Sequence, residues 1–226
     1  MIVQMTSTSP NRGTYGLAKA ALLDAAVDVI RSQGLHATTV DDLCAEAGVT
    51  KGAFFHHFAT KEALAVAAAD HWSTVTGALF AAAPYHDHED PADRVLGYLD
   101  FRASLISGAP AAYTCLVGTM TQEAFDTNPA VRDACAASMF GHAETLEADF
   151  IAALTAAAVG NDVDAAEPDA PADTARAAAS LARHTQAVLQ GAFVLSKAAN
   201  DPALVIESID HLRRYLECVL GRPAPG

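Results

Sequence analysis

GLHATTVDDLCAEAGVTKGAFFHHFATKEAL, residues 34–64, sets helix starts and helix stops close together. Thr39 can cap a short helix whose first turn carries Asp41 and Asp42, acidic groups that suit the positive end of a helix. That helix runs to about Ala47, and Gly48 breaks it. Thr50 can cap a second short helix, Lys51 to about His57, and Thr60 a longer one, Lys61 to about Ala83. Upstream, Thr14 to Gln33 reads as a helix with Leu23, Ala26, Val27 and Ile30 on one apolar face, stopped by Gly34. Two short helices joined at a glycine and flanked by longer ones form a helix-turn-helix pattern.

Beyond Pro91 the spacing predicts helices over about 91–107, 111–126, 129–158, 173–199 and 202–220. Gly108 with Pro110, Asn128-Pro129 and Asn200-Asp201-Pro202 separate them, and residues 160–171 (GNDVDAAEPDAP) form the one low-complexity linker. The chain is 226 residues long, 51% hydrophobic and 18% charged, which fits a globular protein rather than a disordered one. Alanine dominates and β-branched runs are scarce. The expected fold is all-α, about nine helices: a three-helix unit over 14–60, a connecting helix over 61–83 and a larger helical domain over 84–220. No apolar run approaches the roughly 18–20 residues of a membrane span, so no membrane partner is expected. Met1 to Gly13 is polar and does not read as a secretory signal. Cys44, Cys115, Cys135 and Cys218 form no CxxC pair, which favours a reducing cytoplasm over a disulfide scaffold.

The net charge of −13 is unevenly spread. Residues 1–60 hold four basic side chains (Arg12, Lys19, Arg31, Lys51) against five acidic ones (Asp24, Asp28, Asp41, Asp42, Glu46), close to neutral. The remainder is strongly acidic, so the two parts are suited to different partners.

Residues 34–64 closely resemble the DNA-binding segment of TetR-family regulators. The matching residues are Gly34, Thr39-Val40, Ala47-Gly48-Val49, Phe54-Phe55, His57-Phe58 and Lys61-Glu62-Ala63-Leu64. The resemblance implies a second short helix that enters the major groove of double-stranded DNA, about 12 Å wide. On that helix Thr50, Lys51, Ala53 and Phe54 are the candidates to face the bases. Lys51 can donate to guanine or phosphate, and Ala53 and Phe54 offer apolar contact to thymine methyls. Hydroxyls and amides at helix starts suit phosphates, which points to Thr38, Thr39 and Lys61. In the family a tyrosine usually stands where Phe55 is, and its hydroxyl bonds phosphate. Phenylalanine cannot do this, so His56 or His57 is expected to take part of that contact. Few groups are available to neutralise phosphates, which predicts modest, salt-sensitive binding and a need for two heads.

The rest of the chain resembles the family only in the count and order of its helices. The resemblance implies a small-molecule effector site in a helical bundle and a homodimer through the last two helices, residues 173–220. An apolar seam supports the dimer: Val205, Ile209, Leu212, Leu216 and Val219 repeat at 4-3-4-3 spacing. Ala177, Leu181, His184, Val188, Gly191 and Leu195 do so on the preceding helix. Four such helices can make an intersubunit bundle, and the alternative is that both seams face the chain's own core. Pocket candidates are Tyr98, Phe101, Arg102, Tyr113, Met120, Phe125, Met139, His142, His184 and Phe193, aromatic, sulfur and polar groups that suit an apolar or aromatic effector. Residues 113–118 (YTCLVG) are similar to a stretch in a branch of the family that includes electrophile- and redox-responsive regulators. That adds Cys115 as a ligand or thiol-sensing candidate, against an inert buried thiol.

An enzyme is not expected: the sequence holds no GxSxG elbow, HExxH, P-loop or GxGxxG at a strand–helix junction. No cofactor is implied. His86 and His88 could bind metal, yet read better as a solvated loop. A helical interaction module that has lost DNA binding is the remaining alternative.

Overall fold

The computed structural model describes residues 12–160 and 170–222; the polar start and the core of the 160–171 linker lie outside the described residues. Among the described residues all regular structure is helical: α1 (Arg12–Gln33), α2 (Val40–Ala47), α3 (Lys51–His57) and α4 (Lys61–Ala81) lead to a 3-10 turn, Pro84–Asp87. Then follow α5 (Pro91–Ser104), α6 (Pro110–Tyr113), α7 (Leu116–Ala124), α8 (Pro129–Glu144), α9 (Glu147–Gly160), α10 (Ala170–Ala199) and α11 (Ala203–Val219). No described helix is long and apolar enough to cross a membrane.

The expected caps are in place. Thr39 and Asp42 form a reciprocal capping box on α2, Thr50 accepts the N–H of Ala53 at 3.2 Å, and Thr60 that of Ala63 at 3.1 Å. Gly48 ends α2 with φ +64°, and Gly34 ends α1 with φ +88°, both left-handed. Of the apolar face expected on α1, Ala26 and Ile30 are buried, joined by Leu22 and Ala25, whereas Leu23 and Val27 flank them.

Two predicted helices are each broken in two. The 111–126 segment interrupts at Thr114 and Cys115, which take extended backbone. A continuous helix would give the Thr114 carbonyl to an amide one turn on; here it accepts Nε of Arg31 at 2.7 Å, from α1. The 129–158 segment breaks at Thr145–Leu146, where a tightened turn, Leu146 N–H to Ala143 C=O at 3.0 Å, delivers Leu146 and Phe150 into the core.

Apolar side chains gather in two clusters. One joins Leu22, Ile30, Leu43, Phe54, Phe58 and Leu64 of the first four helices to Leu116, Val117 and Met120 of α7 and to Val131 and Cys135 of α8. The helix-turn-helix unit therefore shares a core with α7 and α8. The other cluster gathers Phe80, Tyr98, Leu99, Phe150, Leu181, Leu189, Val205, Ile209, Leu212 and Leu216. This corrects the seam expected on α11, whose Val205, Ile209, Leu212 and Leu216 are buried against the chain's own α5 and α10. On α10 Leu181 is likewise internal, while Val194 and Leu195, with Tyr215 of α11, are exposed.

Phe54 is fully buried between Phe55 and Phe58, and Phe55 is 55% exposed. Phe54→Ala should lower stability by about 3–5 kcal/mol, whereas Phe55→Ala should change it by less than about 0.5 kcal/mol. Urea unfolding of the two variants checks the contrast; equal losses would mean that the phenyl rings are not sorted in this way.

Candidate functional site

On α3 the side chains sort by helical period. Thr50, Lys51, Phe55 and His56 are exposed, Ala53 is half-buried, and Phe54 and Phe58 turn inward. Lys51 Nζ lies 2.8 Å from Asp41 Oδ1 of α2, an exposed pair that raises the lysine pKa. Such pairs are weak in water, so a phosphate can replace the carboxylate at little cost. The rings of His56 and His57 meet edge to face at 5.2 Å. Burial, then His56 and Lys19, lowers the His57 pKa, so this imidazole is neutral at pH 7.

Three expected DNA contacts are corrected. Phe54 is a core residue. The Thr38 hydroxyl is buried and donates to Gly34 O at 2.6 Å. Lys61 Nζ donates to Leu35 O and Thr38 O, both at 2.8 Å, capping carbonyls of the loop between α1 and α2 rather than facing outward. Thr39 is exposed, but its hydroxyl is engaged with Asp42 Oδ2 at 2.8 Å. Arg31, counted from sequence with the head's basic groups, stacks on Trp72 at 5.0 Å and reaches α6–α7.

α7 holds the head from its other end too. Glu123 accepts the His36 N–H at 2.6 Å, and its carboxylate packs where a Cβ on Gly34 would stand. The left-handed backbone favours glycine at position 34, and any side chain there would also displace the Glu123 carboxylate.

A cavity of about 190 Å³ lies between α4, α8 and α10, with Tyr113, Cys115 and Val117 at one end. Of the expected pocket residues, Arg102, Tyr113, Cys115, Met139, His142 and Phe193 line it. The others are corrected. Tyr98 lies behind the wall, fully buried, and Phe101 packs edge-on against Phe80. Met120 is inside the head core, Phe125 is exposed, and His184 sits on the exposed face of α10 against Tyr215 at 5.3 Å. The sequence reading missed the α4 wall altogether: Trp72, Ser73, Thr76, Gly77 and Phe80 form one stripe at helical spacing. That signal was present, but the helix read only as a connector. Gln186 and Gln190 complete the polar lining.

Behind the cavity, Arg102 Nε donates to Tyr98 Oη at 2.8 Å and Nη2 reaches His142 Nε2 at 2.9 Å. Tyr98 Oη is 3.0 Å from the same imidazole nitrogen, and Gln186 Nε2 donates to Tyr98 Oη at 3.0 Å. Burial, and secondly the Arg102 charge, push the His142 pKa down to about 3. The described residues include no group of His, Cys, Asp and Glu placed to hold a metal, and His86 Nε2 instead meets Phe80 O at 3.0 Å.

Residues 22–68 match the family model described as bacterial regulatory proteins, tetR family. Those residues carry the TetR-family DNA-binding unit. An HTH-type transcriptional repressor of Mycobacterium tuberculosis is 40% identical over 76 residues, which is 33% of this chain and 40% of that protein. The chain thus spans about two fifths of the length of the curated relatives it matches. A TetR-family transcriptional regulator from Streptomyces coelicolor shares the fold, with TM-score 0.68, 21% identity, and coverage of 91% of this chain and 95% of that one. So does the TetR-family regulator CifR, a cysteine-substituted form complexed with 26-bp operator DNA: TM-score 0.65, 17% identity, 86% and 94% covered. The TetR-family match ends within α4, so the walls around Arg102 and His142 come from parts of the chain outside it.

His142 gives this protein an acid sensitivity that can be tested. The folded protein keeps this imidazole neutral down to about pH 3, whereas an unfolded chain protonates it near 6.5. Between these values the unfolded state binds the extra proton, so stability is intact above pH 6.5 and falls as pH drops toward 3. From pH 7 to pH 5, wild-type urea stability should fall by about 1–2 kcal/mol more than that of His142→Gln. Parallel losses would show that the imidazole is not held neutral.

Proposed function

We propose that the protein is a homodimeric, ligand-responsive transcriptional repressor that binds a palindromic operator and is released by a small-molecule effector. The carrying observation is Phe55 beside Lys51 and Thr50 on α3, an aromatic ring left mostly exposed. Thr50, Lys51, Ala53, Phe55 and His56 supply apolar and cationic contacts for a major groove, and Thr39 suits a phosphate. Residues 14–60 make the reading head, α4 the connector, and the remaining helices the effector and dimer domain.

Exposed Val194 and Leu195 of α10 and Tyr215 of α11 supply the dimer face in place of the buried α11 seam. A two-fold axis there sets the α3 helices about 34–36 Å apart, one turn of DNA. An apolar or aromatic effector in the cavity acts on the head through α7, which the Arg31–Thr114 and Glu123–His36 bonds tie to α1 and its loop. Release requires that the effector bind the non-operator conformation more tightly.

Binding to the upstream intergenic DNA, measured by anisotropy against a scrambled duplex over a salt series, tests this reading. The dimer should prefer its own DNA and weaken with salt. Lys51→Ala should lower affinity about fivefold to tenfold and flatten the salt slope by about one charge. Leu195→Asp should sediment as a monomer and lose binding. If Lys51→Ala binds as wild type does, α3 is not the reading helix, and an interaction module becomes the better account.

One observation favours a thiol-sensing variant of the same function. Cys115 is the N-cap of α7, lines the cavity and touches both cores. Arg31 and Lys197 lie within electrostatic reach of its sulfur. Burial raises the thiol pKa of Cys44, and that of Cys135 to about 11, which makes both poor nucleophiles. Iodoacetamide at pH 7 should then alkylate Cys115 faster than Cys44 or Cys135 and weaken operator binding. Modification without any change in operator affinity would remove the sensing role.

A further inference from the structure

The Arg102 cluster is one acceptor short. Tyr98 Oη accepts from Arg102 Nε and from Gln186 Nε2, so its own proton goes to His142 Nε2, 3.0 Å away. The neutral imidazole has one lone pair on that nitrogen, and Arg102 Nη2 competes for it at 2.9 Å. The guanidinium lies over the Phe80 ring at 4.3 Å and the Tyr98 ring at 5.3 Å, half-buried. Among the described residues, every carboxylate paired with an arginine or lysine pairs with one other than Arg102. Even half-buried, a cation surrounded by neutral groups is a costly arrangement unless an anion completes it.

We propose that the cavity binds a small aromatic carboxylate, its carboxylate held by the Arg102 guanidinium. The planar fork of arginine donors matches a carboxylate, and the anion takes over the surplus N–H bonds. Trp72, Phe80, Tyr113 and Phe193 supply apolar and aromatic walls for the body of the ligand. Size sets the class further. A cavity of about 150 Å³ holds one benzene ring, and this one, about 190 Å³, has room for a ring plus a carboxylate. The proposal deepens the reading of this cavity as the effector site and rests on it.

Trp72 lines the cavity and is the chain's one tryptophan, so its fluorescence reports occupancy without DNA. Benzoate and phenylacetate are titrated against their neutral amides at pH 7. The carboxylates should saturate the signal and bind about tenfold to a hundredfold tighter than the amides, the range of a charge-assisted hydrogen bond. Arg102→Gln should erase that preference by weakening the acids while leaving the amides within about twofold, and Arg102→Lys should keep part of it. Thermal melts identify a variant that has not folded; the lysine variant and the wild-type acid-to-amide ratio then decide. Amides binding as well as acids, no binding by either, or an unchanged preference in folded Arg102→Gln overturns the proposal. Operator anisotropy with the same ligands separates the two levels. Acid binding that leaves operator affinity untouched upholds the anion site and removes its effector role. Release by the amides alone does the reverse.

Discussion

Burial of Leu22, Ala26 and Ile30 along one stripe of α1 is the constraint on which the remaining structure depends, because that stripe packs into a core shared by two functional parts. Short helices such as α2 and α3 are not stable alone; they persist because Leu43, Phe54 and Phe58 close over α1 and α4. The same core takes in Leu116, Val117 and Met120 of α7. A head with a separate core could tumble on a linker; this one must follow α7. Arg31 and Glu123 add polar fasteners at the two ends of that contact, where backbone groups of a helix break and a loop need partners.

Charge is used sparingly, and its allocation explains the near-neutral head. Arg31 is drawn away to Trp72 and the Thr114 carbonyl, Lys61 is committed to carbonyls of the α1–α2 loop, and Lys51 rests on Asp41. Arg31 and Lys61 thus serve the fold, while the exposed pair with Asp41 leaves Lys51 exchangeable. The exposed surface of α3 is therefore mostly aromatic, imidazole and hydroxyl in character, a surface better suited to reading groove shape and methyl groups than to coating a backbone.

The interior of the other part reverses the balance. There a guanidinium lies among rings and neutral donors, and burial beside it holds His142 uncharged. Four side chains from three helices, Arg102 and Tyr98 of α5, His142 of α8 and Gln186 of α10, hold one another in place. Each of these helices also frames the cavity or backs its wall, so a change in what fills the cavity bears directly on their packing.

The sequence by itself determined the helical class, the caps at Thr39, Thr50 and Thr60, the glycine stops at Gly34 and Gly48, and the family, because these depend on hydrogen bonds and backbone angles settled within a few residues. Pocket residues such as Arg102, Tyr113, Cys115, His142 and Phe193 could be named from their chemistry, since rings and polar groups on inner helices are what a ligand site needs. Only the tertiary structure decided which of their neighbours joined them. Helical period says that one face is buried but not against what, so the α11 seam turned inward and Met120 went to the head. The break at Thr114 required Arg31, eighty-three residues away. Long-range partners of this kind leave no local trace in the chain.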